Sequence, residues 1–129
     1  MLEIARIMVA DAPRPVAPFS HAVRAGDFLF VTGQMPTSPV THEVVGADVS
    51  EQTRQVIANL STVLAGCGLA LERTVFARVY LTDFERDYAA MNATWRAAFP
   101  EGGLPARTCV GVTGLALGAL VEIDLVAAF

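Results

Sequence analysis

Apolar and polar positions alternate along several short stretches of the chain and recur at helical spacing along two longer ones. Residues 3–9 alternate weakly, which predicts an edge strand. Residues 21–24 and 27–32 flank Ala25-Gly26, the pattern of a β-hairpin. Phe28, Leu29, Phe30 and Val31 are apolar without interruption, as in a strand covered on both faces. Asp48 and Glu51 form a capping-box pair, and Val56, Ile57, Leu60, Val63 and Leu64 then follow at helical spacing. Gly66 and Gly68 end that helix. Residues 74–81 are β-branched and aromatic and predict a strand. Asp83 caps a second helix with Tyr88, Met91, Trp95 and Phe99 on its apolar side, and Pro100 stops it. Residues 107–115 and 119–129 read as two strands around a short turn at Ala116-Leu117, so a second hairpin is expected there. The order of strands, helix, strand, helix and strands predicts one α/β (α+β) domain over residues 1–129. Its expected architecture is a single mixed β-sheet with both helices packed on one face.

Composition adds a demand that this architecture alone does not meet. Of the 129 residues, 53% are hydrophobic and only 17% charged, against about 45–50% and 25% in an average domain. A small domain has too little interior to hold that much apolar surface. Either a membrane or another subunit must cover the excess. The uncharged stretch from Thr108 to Val121 contains Gly111, Gly114 and Gly118 and falls short of the roughly 20 residues of a spanning helix. Glu3, Arg6 and Asp11 interrupt any apolar leader. Burial between subunits is therefore expected, in a soluble cytoplasmic protein without a membrane partner. The net charge of −4, with nine basic residues scattered along the chain, argues against nucleic acid, whose phosphates call for a basic stripe. Cys67 and Cys109 have neither metal-ligand nor redox spacing, and without a signal peptide reduced thiols and no metal are expected.

The chemistry concentrates near the C-terminus. Side chains alternate along a strand, so Arg107 and Cys109 share one face of their strand, and Glu122 and Asp124 share one face of the next. The expected hairpin sets Cys109 opposite Glu122 and Arg107 opposite Asp124, with all four on one face. Charges in strands this apolar need compensation. Two readings stand. One is a structural ion pair or a wet edge. The other is a site in which Arg107 grips a substrate carboxylate with its two-pronged guanidinium and Glu122 holds or activates water.

Six segments carry a resemblance to the RidA/YjgF family of imine deaminases. They are "PFSHAV" at Pro18, "FVTGQMP" at Phe30, "QTRQVIANLSTVLAGCG" at Gln52, "VYLTDF…MNATW" from Val79, "PARTCVGV" at Pro105 and "GALVEI" at Gly118. The resemblance implies a chorismate-mutase-like fold and a homotrimer with sites between subunits. It also implies hydrolysis of reactive enamines and imines of the 2-aminoacrylate type to a 2-keto acid and ammonia, a reaction for which no metal or organic cofactor is expected. On this resemblance Arg107 and Glu122 are the catalytic residues, and Phe19, Gly33, Asn92, Arg107 and Cys109 line the substrate site; the partner is a carboxylate-bearing imine. Gly33 is expected at a turn, Cys109 as pocket lining, and Asn92 at the pocket rim or facing a neighbouring subunit. His21 reads as a solvated residue of the loop before a strand. Four positions depart from the family pattern: Phe19 replaces a tyrosine, His21 a glutamine, Gly111 a Glu or Gln, and Ala116-Leu117 a Pro-Lys pair. The lost hydroxyl at Phe19 keeps a second reading open, a trimeric protein that binds a keto acid without turning it over.

Overall fold

The computed structural model describes residues 1–129. Six strands form one mixed sheet: β1 (Ile4–Ile7), β2 (Ala22–Ala25), β3 (Phe28–Gln34), β4 (Thr74–Leu81), β5 (Ala106–Gly111) and β6 (Val121–Ala128). Their spatial order is β1-β2-β3-β6-β4-β5. Two helices, α1 (Val49–Gly66) and α2 (Phe84–Ala97), connect β3 to β4 and β4 to β5. Neither is long and apolar enough to cross a membrane.

The helix starts follow the local chemistry read from the sequence. Asp48 accepts a hydrogen bond from the Glu51 amide at 2.9 Å, while the Glu51 carboxylate reaches one residue further back and accepts from the Ala47 amide at 3.0 Å. Gly68 follows α1 with φ +79°, the left-handed turn that ends many helices. Asp83 caps α2 by accepting from the Arg86 amide. Val56, Leu60, Val63 and Leu64 of α1 and Met91 and Trp95 of α2 are buried with Leu29, Val31, Ala77, Val79, Ile123 and Leu125 of the sheet. The helices thus cover one sheet face, as the element order predicts.

The C-terminal hairpin does not form. β5 runs parallel to β4, with Ala77 beside Arg107 and Val79 beside Cys109. β6 enters the middle of the sheet, antiparallel to both β3 and β4. A parallel pair needs a crossover connection, and α2 supplies it between β4 and β5. The segment after β5 then passes over the end of β4. Val112 donates to the Leu81 carbonyl at 2.9 Å, and Thr82 donates to the Leu120 carbonyl at 3.1 Å.

This topology corrects the expected polar face. Register partners in adjacent strands point to the same side of a sheet. Arg107 and Cys109 therefore lie on the helix-covered face with Ala77 and Val79, whereas Glu122 pairs with Tyr80 and Asp124 with Arg78 on the opposite face. Nothing in the chain covers that second face. Phe28 and Phe30, expected to be buried on both sides of their strand, are 46% and 50% exposed there.

Candidate functional site

The six residues expected at the site fall into two groups, one on each side of the sheet. The first group is built on β5 and α2. Arg107 donates from Nη2 to Asn92 Oδ1 at 2.7 Å and from Nη1 toward Met91 Sδ at 3.6 Å. Its guanidinium carbon lies 5.9 Å from the centroid of the Tyr88 ring. Tyr88 and Asn92 are one helical turn apart on α2, so one face of the helix presents both to the same side chain. No acidic side chain forms a salt bridge with Arg107. The remaining guanidinium donors open onto a cleft of about 310 Å³ lined by Tyr88, Asn92, Trp95, Arg96, Pro105 and Arg107. Cys109 follows on the same face of β5. Burial raises its thiol pKa, and the Arg107 charge opposes that rise without reversing it. A protonated thiol is a poor nucleophile, in keeping with a lining role.

The second group is built on β3, β6 and the loop before β2. A register shift interrupts β3 between Val31 and Gln34. Gly33 sits in this irregularity, within the strand and with no left-handed backbone, which corrects the expectation of a turn. Its lack of a side chain has a different cause. A Cβ at position 33 would come within 2.5 Å of Glu122 Oε2 and 2.9 Å of its carboxyl carbon. The Glu122 carboxylate therefore lies directly over the Gly33 backbone. Burial raises its pKa above the ordinary carboxylate range, and the nearby Asp124 charge adds to the effect. Phe19, exposed at the end of its loop, lines with Gly33, Phe30, Phe76, Arg78 and Asp124 an open cleft of about 590 Å³ on the uncovered sheet face.

Asp124 is not a partner of Arg107. Arg78 grips it with two bonds, each 2.9 Å, and the Tyr80 hydroxyl donates to it at 3.1 Å. The alternation of Arg78 and Tyr80 with Ala77, Val79 and Leu81 was the available sequence signal for this network. His21 is also corrected: it is 3% exposed, not solvated. Its Nδ1 accepts from the Val9 amide at 2.8 Å, and its Nε2 lies 2.8 Å from the Pro13 carbonyl. An amide can only donate and a carbonyl only accept, so the ring is the neutral tautomer carrying its proton on Nε2. It ties residues 9–13 to the start of β2, next to Phe19.

One mixed sheet, helices on a single face and a mostly apolar cleft holding Arg78 and Asp124 on the other define the class of protein: a small α+β domain whose candidate site is divided between two surfaces. The sequence profile described as endoribonuclease L-PSP matches residues 9–129, and the chain belongs to that family, the YjgF/RidA family that its motifs resemble. A RutC family protein of Pyrococcus horikoshii is 40% identical over 121 residues, covering 94% of each chain. The solved structure of YyfA from Yersinia pestis, described as a member of the conserved Rid protein family, superposes with a TM-score of 0.92 at 31% identity. The match covers 98% of this chain and 100% of that one. E. coli TdcF, solved with bound serine, superposes with a TM-score of 0.89 at 29% identity, covering 97% and 98% of the two chains.

Proposed function

We propose that the protein hydrolyses 2-imino acids, and the enamines in equilibrium with them, to 2-keto acids and ammonia at sites shared between copies of the chain. The observation that carries this reading is the state of Arg107. Asn92 and Met91 hold its guanidinium beside an open cleft, and no carboxylate neutralises it. A held, unpaired guanidinium at a cleft is a ready receptor for a carboxylate. The bound serine of TdcF supports a ligand of amino-acid size.

A single chain cannot bring Arg107 to Glu122, because the sheet lies between them. A neighbouring copy seated against the uncovered face would bring its own Arg107 toward Glu122, Gly33 and Phe19. We assign the assembly as a homotrimer, in keeping with the family resemblance. In the shared site Arg107 holds the substrate carboxylate, and Glu122 orients a water beside the imine carbon. The water oxygen bonds to that carbon as the C=N π electrons move to nitrogen, and Glu122 takes a water proton. Glu122 returns that proton to the nitrogen to give a neutral carbinolamine, then carries the hydroxyl proton to the nitrogen as the C–N bond breaks, so ammonia leaves and the carbonyl forms. An enamine first takes up a proton at its terminal carbon and gives one up from its nitrogen to become the imine. A carboxyl group with a raised pKa suits this exchange, since its carboxylate is a stronger base than an ordinary one.

The lost hydroxyl at Phe19 favours the rival reading, a keto-acid-binding protein without turnover. The endoribonuclease description of the family suits this chain's charge of −4 poorly. Ammonia release from freshly generated 2-aminoacrylate separates deaminase from binder. Arg107→Ala should abolish that release in a folded assembly, since a charge-assisted hydrogen bond contributes roughly 1.5–3 kcal/mol. Co-expressing Arg107→Ala with Glu122→Gln should restore part of it, because a mixed trimer contains sites with both native residues. Full activity in Arg107→Ala would overturn the role of that residue, and no rescue on mixing would overturn the shared site.

A further inference from the structure

Two charged residues and a tyrosine stand beside Glu122 and have no part in the reaction proposed above. Asp124 follows Glu122 on the same face of β6, and Arg78 and Tyr80 are the β4 register partners of Asp124 and Glu122. Directly opposite side chains are the nearest neighbours across a strand pair, with diagonal ones still within reach of an aromatic. Tyr80 takes the diagonal. Its hydroxyl donates to Asp124 Oδ2 at 3.1 Å, the same oxygen that accepts from Arg78 Nη2 at 2.9 Å. Arg78 Nε completes the clamp on Asp124 Oδ1 at 2.9 Å. Burial, then the Asp124 charge, raise the Tyr80 pKa, so its hydroxyl stays a donor. The tyrosine opposite Glu122 is thus spent on Asp124. Stability accounts poorly for the clamp. β4 and β6 are already paired from Thr74 to Leu81, and the Arg78 side chain is 56% exposed, where an ion pair contributes little.

We infer that Asp124, clamped by Arg78 and Tyr80, is a positioning residue for Glu122: it holds a negative charge beside the carboxylate that activates water, and Arg78 sets how much of that charge Glu122 feels. A like charge disfavours ionisation, so Asp124 adds to the effect of burial and makes Glu122 a stronger base. Arg78 offsets part of it. β3 meets Glu122 with the uncharged Gly33, and the shared site adds the neighbouring copy's Arg107. The inference rests on the reading of Glu122 as the base.

NMR titration of isotope-labelled glutamate carboxyl groups in the assembled protein tests it without turnover, with the Glu122 signal assigned by its loss in Glu122→Gln. Asp124→Asn keeps an acceptor for both Arg78 and Tyr80 and should fold. Its Glu122 midpoint should fall by at least about 0.4 pH unit, the effect of removing a like charge roughly 7 Å away in surroundings as polar as water. Arg78→Met leaves Asp124 uncompensated and should move the midpoint up. The acid limb of the kcat/KM profile for ammonia release should follow, to lower pH in Asp124→Asn and to higher pH in Arg78→Met, because the base must be ionised. A clamp that only fastened the strands would lower stability in both variants without opposite shifts. Midpoints that stay in place, or move the same way in both variants, would overturn the inference. Ammonia release with unmoved midpoints removes this inference alone. Opposite shifts without release remove the deaminase reading and leave Asp124 in control of the Glu122 charge.

Discussion

Glu122 is half-buried, and its burial favours the protonated carboxyl over the carboxylate. In the unfolded chain its carboxyl group titrates at its ordinary value, and in the folded chain at a higher one. Between those two values the folded state holds more protons. The group's favourable contribution is therefore complete below the ordinary value and is lost as pH rises through the raised one. Once ionised, the carboxylate is a net burden. Glu122→Gln should accordingly unfold at a higher urea concentration than wild type at pH 7, at fixed protein concentration. The gain should be under about 1 kcal/mol, since the group is only half-buried and solvent screens it. It should shrink as pH falls below the ordinary carboxylate range, while the proposed deaminase activity is lost throughout. A midpoint lower than wild type at pH 7 would show that a hydrogen bond to the carboxylate outweighs its burial. Gly33 belongs to the same scale, because its hydrogen leaves the space that the Glu122 carboxylate fills.

Among the elements, α1 carries much of the core, with Val56, Leu60, Val63 and Leu64 fully buried. Its start rests on Asp48, which accepts from Glu51 and satisfies an amide that has no partner inside the helix. Asp48→Ala should lower stability by about 1 kcal/mol, seen as a lower Tm with the proposed deaminase activity retained below the transition. An unchanged Tm would mean that water replaces the cap at no cost. α2 has a different task. It spans the parallel crossover from β4 to β5 and carries Tyr88, Met91 and Asn92 to one side of Arg107. The crossover that defeats the expected hairpin therefore also builds the Arg107 half-site.

For the whole molecule, the high apolar fraction now has a location. Ile4 and Phe28 pair with Ala25, Phe30 pairs with Val23 and Val126, and Phe76 pairs with Val126, which places these side chains on the uncovered sheet face. Large exposed apolar patches mark interaction surfaces. Light scattering at micromolar concentration should report three times 13.7 kDa. Phe30→Asp should lower that mass by placing a carboxylate in the interface, and should reduce activity with it. A wild-type monomer would overturn both the assembly and the shared site.

Local sequence signals were sufficient for the helices, their caps, β4 and the single mixed sheet, because capping and periodicity act over a few residues. The same short-range alternation marked Arg107 with Cys109 and Glu122 with Asp124 as charged or polar positions in apolar strands. It did not determine which strands pair. β5 and β6 are close in sequence, yet β4 lies between them, because β6 is stabilised by burying Val121, Ile123, Leu125 and Ala127 in the middle of the sheet. That choice depends on contacts with distant β3 and β4, which no local pattern encodes. It sets Arg107 and Glu122 on opposite faces and gives Asp124 to Arg78. His21 was misread for the same reason: its partners, Val9 and Pro13, are backbone groups that only the folded loop brings to the ring.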